Sequence, residues 1–265
     1  MDLRWLADPH EGGPLTDDDG VLRGERGGIW PVLGGLPVLV PEPATWLATH
    51  RDAVLAALAE RGRLADGDLR RLDAFARAVR NVGQEPLADD FLDDEEGSAA
   101  LHDRLASFCE AGPVLEIGCG SGALTRRLAG RPLVVVDRSP RAVLRATEGT
   151  DASGVVGLAE ALPVRARSFR TVVAANVIDL LDDPAAFVDE TARALRVGGR
   201  LVLCTPDPAL GLRDGAEGAL AELVAERSFE IEEEEDGLRW SRVHSPRHRE
   251  EYVVRLVVAR KVSGR

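Results

Sequence analysis

From about residue 99 onward, short apolar runs alternate with stretches whose apolar residues recur at helical spacing. Val114 to Ile117 is apolar except for Glu116 and runs into Gly118-Cys119-Gly120-Ser121-Gly122, after which Leu124 to Leu128 begins a helix. Pro132 to Val136 is β-branched and uninterrupted, the mark of a strand buried on both faces; it ends at Asp137, and Arg138-Ser139-Pro140 opens the next helix. Thr171 to Asn176 reads as a fourth strand, Leu195 to Gly199 as the close of a helix, and Arg200 to Cys204 as a fifth strand. Beyond these, the pattern predicts a helix over Asp214 to Arg227, a strand from Phe229 to Glu234 continuing toward Gly237, and a last strand from Tyr252 to Ala259. Trp240, Arg242, His244, Arg247, His248 and Arg249 fall in the connection between those two strands. Earlier, Trp46 to Ala59 and Asp68 to Val79 carry apolar positions at helical spacing, with Asp66 or Asp68 able to cap the second helix and Leu55, Leu58, Leu69, Leu72 and Phe75 as core. A further helix is expected from Ser98 to Phe108.

Residues 1 to 42 have a different texture. Turn signals at Gly12-Gly13-Pro14, Asp17 to Gly20 and Gly24 to Gly28 separate short segments such as Gly20 to Arg23 and Ile29 to Val32, which predicts a small β-rich module. So small a unit needs stability from elsewhere, so Trp5, Trp30 and Leu36 to Val40 are expected to pack on the rest of the chain.

The glycine turn is ambiguous alone, because Gly118-x-Gly120-x-x-Ala123 also satisfies the dinucleotide fingerprint of nicotinamide enzymes. The glycines let the backbone turn sharply against a ligand at a helix amino end. The succession after it, Asp137 ending the second strand, Ala159-Glu160-Ala161-Leu162-Pro163 before the fourth and Asn176 ending that strand, resembles the class I S-adenosylmethionine-dependent methyltransferases over roughly residues 99 to 210. The resemblance implies an α/β fold, a Rossmann-like seven-stranded, mostly parallel sheet ending in an antiparallel hairpin, with helices on both faces. It also implies that residues 43–97 form a helical linker or lid before a binding domain at 98–265. S-adenosyl-L-methionine is the implied co-substrate. The main chain of Gly118, Cys119, Gly120 and Gly122 would shape the methionine pocket, Asp137 and Arg138 would adjoin the ribose, Ala159 and Glu160 would edge the adenine, and Asn176 would sit by the methionyl group. Glu116 suits the cationic methionine end and Asp137 a ribose diol, whereas a pyrophosphate would favour neither carboxylate. Leu158 stands where related sequences often have an acidic residue, so backbone contact and packing are expected to serve adenine there. The run Gly28 to Val40 resembles the end of the zinc-ribbon modules that accompany some methyltransferases. With no cysteine before Cys109 a tetrahedral zinc site cannot be built, so the module reads as metal-free and His10 as a surface residue.

Transfer of a methyl group from an activated donor needs positioning and exclusion of water, and a base only for an alcohol, phenol or protonated amine. Asp179, just after the fourth strand, is the first candidate for that base, followed by His244 and Tyr252; no metal is expected. The segment Asn176 to Leu181 lacks the Asn/Asp-Pro-Pro-aromatic run of enzymes that methylate exocyclic or amide nitrogens. The acidic run Asp93 to Glu96 is either a solvated face or a reception site for a cationic substrate.

Composition narrows the partners. A net charge of −12 and a pI near 5.0 over 265 residues argue against nucleic acid, although the basic and aromatic residues near Trp240 leave RNA contact open. Three distant cysteines, Cys109, Cys119 and Cys204, suggest reduced thiols, and with no apolar signal core or spanning run a cytoplasmic location is expected. The chain reads as a bacterial methyltransferase acting on a small molecule or peptide in a biosynthetic pathway. An RNA methyltransferase and a non-catalytic binding subunit of the same fold are the alternatives.

Overall fold

The computed structural model describes residues 2–79, 82–87, 92–93, 96–210 and 218–263. The acidic residues Asp94 and Glu95, and the first four residues of the helix expected from Asp214, lie outside these. The amino-terminal module is an antiparallel sheet of four strands in sequence order: β1 (Leu15–Asp18), β2 (Val21–Gly24), β3 (Ile29–Leu33) and β4 (Leu36–Pro37). Three helices follow, α1 (Pro43–Thr49), α2 (Arg51–Glu60) and α3 (Asp66–Ala76). The single helix expected over Trp46 to Ala59 is thus two, broken at His50, and Asp68 acts at the start of α3 by accepting the Ala65 N–H at 3.1 Å.

The rest of the chain builds one large sheet. Its elements are β5 (Leu92–Asp93), α4 (Ala99–Ser107), β6 (Val114–Ile117), α5 (Ala123–Arg127), β7 (Leu133–Asp137), α6 (Pro140–Thr147), β8 (Ser153–Val156), β9 (Phe169–Ala175), a 3-10 turn at Ile178–Leu180, α7 (Pro184–Ala194), β10 (Leu195–Thr205), α8 (Ala219–Ala225), β11 (Phe229–Ser245) and β12 (His248–Lys261). The order is β5-β11-β12-β10-β9-β6-β7-β8. The five strands from β10 to β8 are parallel, β12 runs antiparallel between β10 and β11, and β5 is a two-residue addition on β11. Seven principal strands, mostly parallel, are therefore present as expected.

Two elements differ from their sequence pattern. Leu195 to Gly199 is not a helix end: α7 stops at Ala194, and β10 begins at Leu195, which faces Phe169, with Arg196 to Gly199 bulging before Arg200 faces Thr171. The supposed connection around Trp240 is not a loop either. β11 runs unbroken to Ser245, so Trp240, Arg242 and His244 lie on a strand and only Pro246 and Arg247 form the turn. Cross-strand pairing overrides the polar composition of Glu230 to Gly237.

The amino-terminal module is built onto this sheet. Val38 bridges Val156 in parallel, the Leu39 N–H donates to the Val156 carbonyl at 2.8 Å, and Leu6 bridges Val164. Trp30 and Phe169 are essentially fully buried, Trp5 tilts over Phe169 at a centroid distance of 5.7 Å, and the Trp30 indole N–H donates to the Val40 carbonyl at 2.9 Å. Both hydrophobic clusters of the molecule draw on the module and the large sheet together, as a unit without a core of its own requires. Among α1 to α3, α2 packs along α6, with Glu60 paired to Arg141 and Arg61 to Glu148. None of the described residues of these three helices lines the cavity described next.

Candidate functional site

At the carboxyl ends of the parallel strands a cavity of about 800 Å³ opens where β6 and β9 part. Its floor is made by the first glycine turn. Gly118 lies at φ 73°, and a Cβ there would meet Val177 Cγ2 at 2.2 Å, so only glycine lets the turn pass under the segment after β9. Glu116 is buried in β6 and faces this cavity. Gly122, also expected at the ligand, does not line the cavity. It caps α5, and a Cβ there would meet Ala146 Cα at 2.7 Å, so its role is close helix packing.

Asp137 ends β7 and is fixed from both sides: its Oδ1 accepts the Ser139 N–H at 2.8 Å and its Oδ2 the Gly120 N–H at 3.3 Å. Burial pushes its carboxyl above the ordinary aspartate value, while those backbone donors pull the other way. Ser139 in turn caps α6 by accepting the Ala142 N–H at 3.2 Å. Arg138, Cys119, Ala159, Glu160 and Asn176 also line the cavity, as does Leu158. Asn176 takes a left-handed backbone at φ 55°, which lets the chain turn away at the end of β9. Burial pushes the Cys204 and Cys109 thiols up to about 12 and the Cys119 thiol well above its usual value, so none is a nucleophile at neutral pH.

The opposite wall comes from β11. Trp240, Arg242 and His244 occupy alternate positions, share one face and all line the cavity. Arg242 lies over the Trp240 ring at 4.7 Å and 6.0 Å from the Tyr252 centroid. His244 Nε2 is 2.9 Å from Glu250 Oε2, which also accepts the Tyr252 hydroxyl at 2.7 Å. The Tyr252 and His244 bonds hold the Glu250 carboxyl below its usual range, and the same bond raises Tyr252, so the tyrosine stays protonated and is no base at neutral pH. His244, His248 and Glu250 also offer donor atoms all within 4.8 Å of one another, the separation a metal ion would require, in a hairpin tip that carries Arg247 and Arg249.

Of the three candidate bases, only His244 lines the cavity. Asp179 sits on the 3-10 turn, half-buried, and its Oδ1 accepts the Thr205 hydroxyl at 2.8 Å. Tyr252 lies behind Trp240 at 5.1 Å. Sequence reasoning missed His102 of α4, and it placed Trp240 and Arg242 in a loop, although the segment Asn176 to Leu181 after the fourth strand was expected near the acceptor and its Leu180 and Leu181 line the cavity. His102 gives no signal, because helical spacing marks its neighbours Leu101 and Leu105 as core. Trp240 and Arg242 follow the period-2 alternation of a strand, hidden by reading the segment as a loop. A buried latch fixes this wall to α4: the Ser98 hydroxyl oxygen accepts the Ser241 N–H at 3.0 Å, and Arg104 pairs with Glu235 at 2.7 Å and with Glu233.

The pattern of the methyltransferase domain family matches residues 115–203, the stretch from the glycine turn to β10. A protein of Mycobacterium tuberculosis (strain H37Rv) named as a probable S-adenosylmethionine-dependent methyltransferase is 39% identical over 111 residues, 40% of either chain. The 27-O-demethylrifamycin SV methyltransferase of Amycolatopsis mediterranei is 35% identical over 167 residues, 55% of this chain and 61% of that protein. The chain therefore matches less than two thirds of the length of these relatives, 40% and 61% respectively. Among solved structures, the N-methyltransferase NodS of Bradyrhizobium japonicum in complex with S-adenosyl-L-homocysteine superposes with a TM-score of 0.51 at 23% identity, covering 64% of this chain and 90% of that one, a likeness of fold.

Proposed function

From the premise that the 115–203 segment makes this chain a member of the class I S-adenosylmethionine-dependent methyltransferases, we propose that it transfers a methyl group to an oxygen of a small molecule. The observation that carries the reading is one cavity with two chemically different ends, Glu116 and pinned Asp137 on one side and the Trp240, Arg242 and His244 face on the other. When bound, S-adenosyl-L-methionine supplies an electrophilic methyl group on a sulfonium. The glycine turn is bare enough to lie against the methionyl part, Glu116 opposes its positive charge, and Asp137 retains lone pairs for both ribose hydroxyls. Leu158 and Ala159 offer an apolar edge for adenine. An acceptor hydroxyl must lose its proton as it is methylated. In the tautomer in which His244 donates from Nε2 to Glu250, Nδ1 is left to take that proton.

Oxygen as the acceptor atom is supported by the Amycolatopsis relative and by a malonyl-[acyl-carrier protein] O-methyltransferase of Hahella chejuensis, 35% identical over 99 residues, both named for O-methyl chemistry. The deciding experiment is calorimetric titration of the purified protein with S-adenosyl-L-homocysteine and, separately, with a nicotinamide dinucleotide. Binding of the first and not the second is expected; the reverse result removes the proposal.

A further inference from the structure

We propose that the tip of the β11–β12 hairpin binds a divalent transition-metal ion of the zinc class through His244, His248 and Glu250, and that the bound ion silences methyl transfer by occupying His244. The site stands on the geometry of the hairpin; its effect rests on the reading of His244 as the base.

Two local devices bring the three side chains together. His248 and Glu250 alternate on β12, and because Glu250 pairs directly with Arg242 they share the face that carries Trp240, Arg242 and His244. Val243 pairs with Arg249 and Ser245 with His248, so His244 is the extra residue of a bulge, and its ring stacks on that of His248 at a centroid distance of 4.6 Å and an interplanar angle of 23°. His244 Nε2 then lies 2.9 Å from Glu250 Oε2, and His248 Nε2 3.7 Å from Oε1. These separations bracket the roughly 3.3 Å between neighbouring donors of a tetrahedral ion whose bonds are about 2.1 Å long. Tyr252 donates to Oε2 at 2.7 Å, which orients the carboxylate and leaves Oε1 for the ion. The side chains of His244, His248 and Glu250 are 34%, 59% and 37% exposed, so a fourth position is open to water and the ion can enter and leave. Imidazole nitrogen suits zinc, nickel and copper, whereas magnesium and calcium take oxygen donors. The chain's charge of −12 draws cations toward it. Of the arginines near the tip, Arg249 projects to the other face by strand alternation, and Arg242 lies over the Trp240 ring, 4.7 Å from its centroid.

Coordination changes the one ligand that lines the cavity. As a base, His244 keeps its proton on Nε2, donated to Glu250, and Nδ1 is free. An ion requires the Nε2 lone pair, so the neutral ring must carry its single proton on Nδ1. No ring atom is then left to take the proton of an acceptor hydroxyl. The ion is an off-switch and not a participant in the transfer.

The test uses the whole chain, without a polyhistidine tag, in a buffer that does not bind metals. Calorimetric titration with zinc chloride is expected to show a single equivalent bound in the micromolar range or tighter, and magnesium chloride is expected to show none. His248→Ala should weaken zinc binding by about a hundredfold or more, beyond the loss of an outer-shell partner, with affinity for S-adenosyl-L-homocysteine unchanged. In isotope-labelled protein, ring nitrogen shifts assigned with His244→Gln should show the His244 proton moving from Nε2 to Nδ1 as zinc is added. Zinc bound only at millimolar concentration, zinc affinity that survives His248→Ala, or a His244 ring that keeps its Nε2 proton with zinc bound overturns the inference. Failure to bind S-adenosyl-L-homocysteine while zinc still binds strikes the methyltransferase reading, and the effect on transfer with it, and leaves the metal site standing.

Discussion

At the scale of single residues, Asp137 joins stability and function with opposite signs. Its raised carboxyl means that the folded state prefers the protonated form; the corresponding stability is fully present below about 3.8 and is lost as pH rises through the folded value. At neutral pH the ionised group therefore weighs against the ligand-free fold, and donors arriving from a ribose would relieve it. Asp137→Asn is expected to melt at a higher temperature than the wild type at pH 7 without ligand, yet to gain less from added S-adenosyl-L-methionine; thermal scans with and without ligand check both halves. Asp137→Ala should weaken co-substrate binding roughly ten- to a hundredfold, the range for a lost charge-assisted bond of about 1.5–3 kcal/mol, and an unchanged Kd would put the ribose elsewhere. As pH falls toward the raised value, wild-type affinity should decline, and the Asn variant should show no such decline. His244→Gln is expected to lower turnover on the order of 100-fold with co-substrate affinity unchanged, as measured by steady-state rates and titration of the same variant. Glu116, Gly118 and Asp137 are readable from sequence as cavity-lining residues because each sits at the carboxyl end of an apolar strand or in the turn that follows it. The position of Asp179 in the chain says nothing of Thr205, which reaches it from β10 and donates to its carboxylate.

At the scale of elements, the parallel half of the sheet is legible because its strands are uninterrupted apolar runs, and of β11 only the first part is, because its second half carries mixed polar and aromatic residues and is held by pairing with β12 and β5. The acceptor wall is thus the part of the site least visible in sequence. It depends on the Ser98 latch: Ser98→Ala leaves the buried Ser241 N–H without its side-chain acceptor and should cost about 1–3 kcal/mol. Amide exchange should then quicken along Trp240 to His244 while the β6 and β7 amides stay protected; uniform exchange across the sheet would show that the latch has no local role. In the amino-terminal module, Asp8 is buried, and its Oδ1 accepts the His10 N–H at 2.8 Å and the Glu11 N–H at 3.2 Å. With no cysteine before Cys109, the module is expected to hold no zinc. Elemental analysis is best made on His248→Ala, which disables the hairpin cluster; stoichiometric zinc in that variant would contradict the reading.

At the scale of the molecule, the two hydrophobic clusters cross from the module into the large sheet, so nothing in the packing separates them. A single calorimetric unfolding transition is expected, and Trp30→Ala, by removing a fully buried ring and the bond to Val40, should lower the whole transition by about 3–5 kcal/mol; a second transition appearing at lower temperature would show that the module folds alone. Sequence texture correctly marks the module as different in kind, but texture is local, and the partners that complete its core lie more than a hundred residues away.

That distance has a consequence in time. In synthesis Val38 and Leu39 emerge ahead of Val156, whose backbone they pair with, by about 120 residues. At roughly 5–20 residues per second, the first strands wait on the order of 6–24 s with an unfinished edge and an exposed indole. Ribosome-bound chains arrested before β8 should therefore be cut readily by protease within their first forty residues and engage holding chaperones, and those arrested well after β8 should not.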